Sequence, residues 1–400
     1  MTQVVHTGLE RLELEPHVNI TTGHSLAGEP VTLLCHPASV TRELVHAVEI
    51  LQRIGARIVS LLGPEHGLDA SAQDMEEVEH RRGDVPLYSL YGDSPAALIP
   101  RPDMFHDATW LVCDLQDIGS RYYTYVWTII LAAEVALSRG MRVLVLDRPN
   151  PLGGLDEWVE GGTIASGYES FVGLHPLAVR HGMTVGEIVT MVLEERGSVG
   201  RERLHVLECT AWRRSMQHPD TKLPFVPPSP NMPSFDTVLV YPGQCLLEGT
   251  NVSEGRGTTR PFETFGAPWV DAQALVRVIA AEHAPGLQLR ALRFKPMFHK
   301  HAGRNCGGVQ LHVKDATQVR SLRTTWALLG ALWNAGTGQM RWRTERYEFV
   351  DDRPAIDLLA GGPWLRLAIE AGVSVDDMLR AQEPDRQAFL LRRRQFLRYA

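Results

Sequence analysis

The 400 residues contain only five cysteines, Cys35, Cys113, Cys209, Cys245 and Cys306, odd in number and too widely spaced for any C-x-x-C pair. That pattern excludes a disulfide framework or a zinc knuckle as the organising device. No apolar run approaches the length of a membrane-spanning helix, so no membrane span is expected. The opening residues, MTQVVHTGLERLELEPH, lack the charged and apolar regions of a secretory signal. The expected location is therefore the cytoplasm, or outside it if a leader has been removed. Neither G-x-G-x-x-G nor G-x-x-x-x-G-K-[ST] occurs, and a G-x-S-x-G nucleophile elbow is also missing, so no cofactor is expected and a serine hydrolase is disfavoured. The histidines form no H-E-x-x-H, and His299 with His301 is too short a pair to suggest a metal site. A basic surplus is missing too: the formal net charge is -7, which argues against nucleic acid as a partner. The one basic cluster, Arg392 to Arg398, reads as the solvated face of a last helix.

What is present is a series of buried strands alternating with amphipathic helices. VTLLCHPAS, ARIVSLLGPEHG, WLVCDLQDIG and RVLVLDRPNP are the strands, with ELVHAVEILQRIG and YTYVWTIILAAEVALSRG as helices between them. This order predicts an α/β, Rossmann-like, mostly parallel sheet. Thr184 and Glu187 form a capping box that starts a helix near Val185. A long Pro- and Gly-rich stretch follows, in which TVLVYPG reads as a strand. From Asp271 a smaller α+β domain begins. The expected division is residues 1–268, a catalytic domain with long loops, and 269–400.

Each strand stops at polar residues: His36; Glu65 and His66; Asp114, Gln116 and Asp117; Asp147, Arg148 and Asn150. Parallel strands bring these ends to one edge, where ligands of open α/β sheets bind. The segment Glu248 to Glu263, EGTNVSEGRGTTRPFE, has no apolar period and reads as a polar site loop. LPFVPPSPNMP before it is stiffened by proline and suits a pocket wall. Carboxylates among aromatics suit glycosyl transfer to water, which needs a proton donor and a second group across the anomeric centre. Glu65 is the acid candidate; Asp114 and Asp117, or Glu169 from a loop, are candidates for the second role. Arg256 and Arg260 suit an anionic substituent, because a guanidinium binds carboxylate bidentately. A hydrolase using Asp114 and Asp117 with Mg²⁺ is a weaker reading of the same residues.

The motifs GPEHG (63–67), LYSLYG (87–92), CDLQDIGSRYYTY (113–125), VLDRPNPLGG (145–154), ESFVG (169–173), RHGMTVGE (180–187), PPSPNMP (227–233), YPGQCLLEGTNVSEGRGTTRPFE (241–263) and CGGVQLHV (306–313) together resemble one family. It is the exo-acting β-N-acetylmuramidases of the NamZ type, and the resemblance runs from about Gly8 to the C-terminus. It implies release of N-acetylmuramic acid from the non-reducing ends of peptidoglycan-derived muropeptides or disaccharides, in cell-wall turnover and recycling. It also implies that Glu65 is the general acid, with a second carboxylate or the substrate's 2-acetamido group assisting. Within these motifs His66, Arg121, Tyr123, Arg148, Asn150, His181, Asn231, Asn251, Glu254, Arg256 and Arg260 are the candidate substrate contacts. A homo-oligomer is compatible with the sequence. The alternative is a non-catalytic muropeptide binder on the same scaffold.

Overall fold

The computed structural model describes residues 4–15, 25–65, 81–82, 85–279, 281–335 and 338–400. The four expected strands form where apolar runs meet turn residues, as β1 (Pro30–Cys35), β2 (Arg57–Gly63), β5 (Trp110–Asp114) and β6 (Arg142–Leu146), and three that were not expected join them: β3 (Arg81–Arg82), β4 (Val85–Ser89) and β7 (Leu204–Leu207). Their order in the sheet is β3-β4-β2-β1-β5-β6-β7. All pairs from β4 to β7 are parallel, and β3 adds an antiparallel edge. The chain builds outward from β1 through β2 to β4, then returns to the other side of β1 with β5. The strand order thus reverses between β1 and β5, the usual position of a ligand crevice.

A second, antiparallel sheet of β8 (Thr264–Ala267), β9 (Leu287–Phe294) and β10 (Cys306–Val313) is ordered β8-β10-β9. Against it pack the helices Ala272–Val278 and Phe235–Gln244. One apolar core runs through both halves, joining Val126 and Phe171 to Phe262, Val309 and Trp326.

The helix expected near Val185 spans Val185–Glu195, with Thr184 and Glu187 capping each other reciprocally. TVLVYPG is not a strand. It lies in the helix Phe235–Gln244, started by Ser234, whose hydroxyl accepts from Thr237 N, and carrying Pro242 inside it. The β-branched residues favour a strand locally, but here packing on the helix Ser321–Asn334 decides: a Cβ on Gly243 would strike the backbone of Ser321. The terminal basic cluster also departs from expectation. Arg393 is fully buried and donates to the carbonyls of His181, Gly182 and Gly154, because buried backbone oxygens need a donor.

Candidate active site

At the reversal point between β1 and β5 the crevice is already filled. The proline-stiffened residues Leu223 to Pro228 close over Ala38, Gln116, Asp117 and Arg148, leaving a void of about 30 Å³, room for little more than a water molecule. The polar strand ends beneath satisfy one another. Arg148 grips Asp114 with two bonds, 2.5 and 2.8 Å, and both are buried. His36 accepts from Gln116 N at 2.9 Å; burial, then the charge of Arg148, holds its imidazole well below the ordinary value and therefore neutral. Asp117 accepts from Gly119 N at 2.6 Å and lies 3.4 Å from His181, whose other ring nitrogen accepts from Met183 N. Asn150 accepts from Leu152 N and donates to Met183 O, shaping a turn. Asp147 takes bonds from Thr184, Gly186 and Tyr399.

A second cleft lies one strand further, outside the end of β2. Of about 40 Å³, scarcely larger than the first, it is lined by Glu65, Tyr122, Tyr123, Thr124, Asn231, Glu248, Arg256, Phe262, Tyr347 and Glu348 among others. Glu65 follows β2 by two residues and is 6% exposed. Thr124 stands before the helix Tyr125–Ser138 but makes no side-chain cap; its hydroxyl donates instead to Glu65 Oε2 at 2.8 Å. One carboxyl oxygen is thereby fixed and the group oriented at a helix N-terminus.

The loop after the helix Phe235–Gln244 supplies the facing charges. Glu248 accepts from Arg256 at 2.7 Å through one oxygen and from the Tyr347 hydroxyl at 2.8 Å through the other. Arg256 also lies over the Phe262 ring and 3.5 Å from Glu254. Glu254 is completely buried. Burial opposes its ionisation, but the charges of Lys300 and Arg256, the Lys300 hydrogen bond and His299 outweigh it and hold the carboxyl down to about 2. Lys300 Nζ donates to Glu254 Oε2 at 2.9 Å and to the carbonyls of Leu247 and Val252, pinning the loop from outside the cleft. The loop's tight path requires glycine at 255, where φ is +83° and a Cβ would strike the Thr264 carbonyl. Burial raises the phenols of Tyr122, Tyr123, Tyr125, Tyr241 and Tyr347, so all remain neutral hydroxyls.

Of the residues singled out from sequence, the structure gathers Glu65, Tyr123, Asn231 and Arg256 around this cleft. It places Glu254 just behind them. His66 lies outside the described residues. Asp114, Asp117, Arg148, Asn150 and His181 are held by the partners named above and do not line the cleft. Arg121, fully buried, donates to the carbonyls of Gly162, Leu177 and Leu359, bracing three chain segments. Glu169 is exposed and bonds only Gly167 N among the described contacts. Asn251 ties the loop to Gln339 and Arg341, and Arg260 is half exposed beside Glu263. Sequence reading missed Thr124, Glu248, Tyr347 and Glu348. Glu248 lay within the polar segment and was recognisable by its charge, and Thr124 stood in CDLQDIGSRYYTY with nothing to set it apart; Tyr347 and Glu348 carry no motif signal.

Two family models match the chain: the N-terminal part of the exo-β-N-acetylmuramidase NamZ over residues 31–236, and its C-terminal part over 239–399. The peptidoglycan β-N-acetylmuramidase NamZ of Bacillus subtilis (strain 168) is 39% identical over 379 residues, covering 94% of this chain and 88% of that protein. Crystal structures of two proteins of the DUF1343 family from Bacteroides fragilis NCTC 9343 share the fold. One superimposes with a TM-score of 0.85 at 29% identity, the other with 0.75 at 26%, each covering 99% of both chains. With nearly its whole length matched by both family models and by a relative at this identity, the chain belongs to the NamZ family and is a glycoside hydrolase.

Proposed function

We propose that this enzyme releases N-acetylmuramic acid from the non-reducing end of peptidoglycan fragments, with Glu65 as the general acid. The observation that carries the reading is the Glu65 carboxyl, buried at the sheet edge, fixed through one oxygen by Thr124 and lining a cleft walled by tyrosines and Arg256. Glycosidic cleavage proceeds when a carboxylic acid protonates the departing oxygen while positive charge builds at the anomeric carbon. A rigidly oriented donor lowers that barrier because no reorganisation is needed at the moment of transfer. Tyrosine rings offer flat apolar faces to the sugar and hydroxyls to its polar rim.

Arg256 is assigned to the lactyl carboxylate that distinguishes muramic acid from glucosamine. It is the arginine that lines the cleft, and Glu248, Glu254 and Phe262 hold its guanidinium plane. Turnover of chromogenic β-N-acetylmuraminide and β-N-acetylglucosaminide by the purified protein tests the proposal. Chromophore is expected from the first alone, and an enzyme inert towards the muraminide would sink it. No described helix is long and apolar enough to cross a membrane.

A further inference from the structure

The cleft contains a third carboxylate, Glu348, which arrives from the C-terminal domain in an unusual way. Tyr347 and Val350 exchange backbone hydrogen bonds of 2.9 and 3.0 Å, so Glu348 and Phe349 are the two central residues of a tight turn. Their φ angles are +46° and +68°. A turn with both central residues at positive φ selects asparagine and glycine, because side chains with a Cβ are strained there. This turn instead carries glutamate and phenylalanine. Its tip is not solvated either: Glu348 is 9% exposed and lines the cleft with Glu65 and Glu248. Phe349 anchors the tip against Tyr91, with ring centres 5.9 Å apart, and Tyr91 in turn packs on Phe171.

Strain held in place by packing is a mark of a residue positioned for a purpose. Both oxygens of Glu248 are engaged, one by Arg256 and one by Tyr347, which makes it a support for the arginine. The same cleft holds the Tyr122 hydroxyl, 2% exposed as a residue and without a hydrogen-bond partner, which marks the space as built for a polar ligand.

We propose that Glu348 is the second catalytic carboxylate, the base that works with Glu65. The assignment rests on the muramidase reading given above. In the step it implies, Glu65 gives its proton to the glycosidic oxygen and the bond from that oxygen to C1 breaks. A water oxygen bonds to C1 while Glu348 takes one of the water's protons. The products are free N-acetylmuramic acid and the shortened fragment, and exchange with solvent returns each carboxyl to its starting state.

The test uses the full chain, the chromogenic muraminide and two variants. Glu348→Gln removes the base and keeps the shape; kcat is expected to fall by about 10²–10⁴-fold with KM within a few-fold of the parent. Glu348→Gly removes the strain as well, so its Tm is expected to equal or exceed that of the parent while activity is lost. Added azide, a nucleophile that needs no base, is expected to restore turnover of the glycine variant and to leave glycosyl azide as product. An active parent with a Glu348→Gln variant within a few-fold of it overturns the role of Glu348 alone. A loss in both variants that is accompanied by a lowered Tm and is not restored by azide reads as damage to the turn, and also overturns it. A parent inert on the muraminide removes the enzyme reading, and the role of Glu348 with it.

Discussion

Two clusters of buried acid lie along the same sheet edge, one strand apart, and they have opposite characters. At the end of β5, Asp114 is clasped by Arg148 and does not line the small cleft under the proline-stiffened lid. Beyond the end of β2, Glu65 accepts from the Thr124 hydroxyl and lines a cleft. The first acid is closed off by its counter-ion; the second shares a cleft with Glu248, Arg256 and Glu348. Charge alone does not mark a reacting carboxylate. What marks it is a carboxylate that lines a cleft, because a bidentate arginine keeps a carboxylate ionised and occupied.

Exchanging the acid on each side tests this contrast most strongly. Glu65→Gln is expected to lower kcat by about 10²–10⁴-fold, with the urea midpoint unchanged. Asp114→Asn is expected to show the reverse: a loss of about 3–5 kcal/mol in stability by urea unfolding, because Arg148 stays buried without its counter-ion. Its folded fraction should keep kcat/KM within a few-fold, and a large fall there would make the closed crevice catalytic. A smaller effect is expected at Arg256→Gln. Loss of a charge-assisted contact worth about 1.5–3 kcal/mol should raise KM for the muraminide roughly ten- to a hundredfold and leave binding of an N-acetylglucosamine ligand little changed. Equal weakening of both ligands would detach Arg256 from the lactyl group.

The smallest effect concerns pH. The folded-state value of Glu254 is depressed to about 2 from an ordinary 4.5, so its contribution to stability is present above about 4.5 and is lost as pH falls through 2. Urea midpoints measured between pH 5 and 2 should therefore fall more steeply for the parent than for Glu254→Gln. Parallel slopes would show that the ion pairs with Lys300 and Arg256 do not govern this carboxyl.

The Glu65 half of the comparison was partly legible in the sequence. A parallel sheet sends its strand ends to one edge, and that rule alone brought Glu65 forward; the apolar silence of residues 248–263 brought Arg256. The rule could not tell a satisfied strand end from an available one. Asp114 and Arg148 are 34 residues apart, and only folding reveals that they hold each other. The same limit explains TVLVYPG, whose β-branched run favours a strand until the helix Ser321–Asn334 packs against it. It explains Arg393 too, since the carbonyls it satisfies lie more than 200 residues away. Glu348 was illegible for another reason: nothing in Tyr-Glu-Phe announces a turn that asparagine and glycine would normally occupy.

Arg393 and Tyr399 have a consequence for the order in which the molecule is made. The carbonyls of Gly154, His181 and Gly182 and the carboxylate of Asp147 belong to the half of the chain that leaves the ribosome first, yet part of their hydrogen bonding comes from residues translated more than two hundred positions later. Domains generally fold in order of synthesis. Here the parallel sheet can form early, but its carboxyl edge must wait, incompletely bonded, for the closing residues. The sheet is thus built from early residues and completed by late ones, so the edge that bears Glu65 is finished only after Arg393 and Tyr399 have been made.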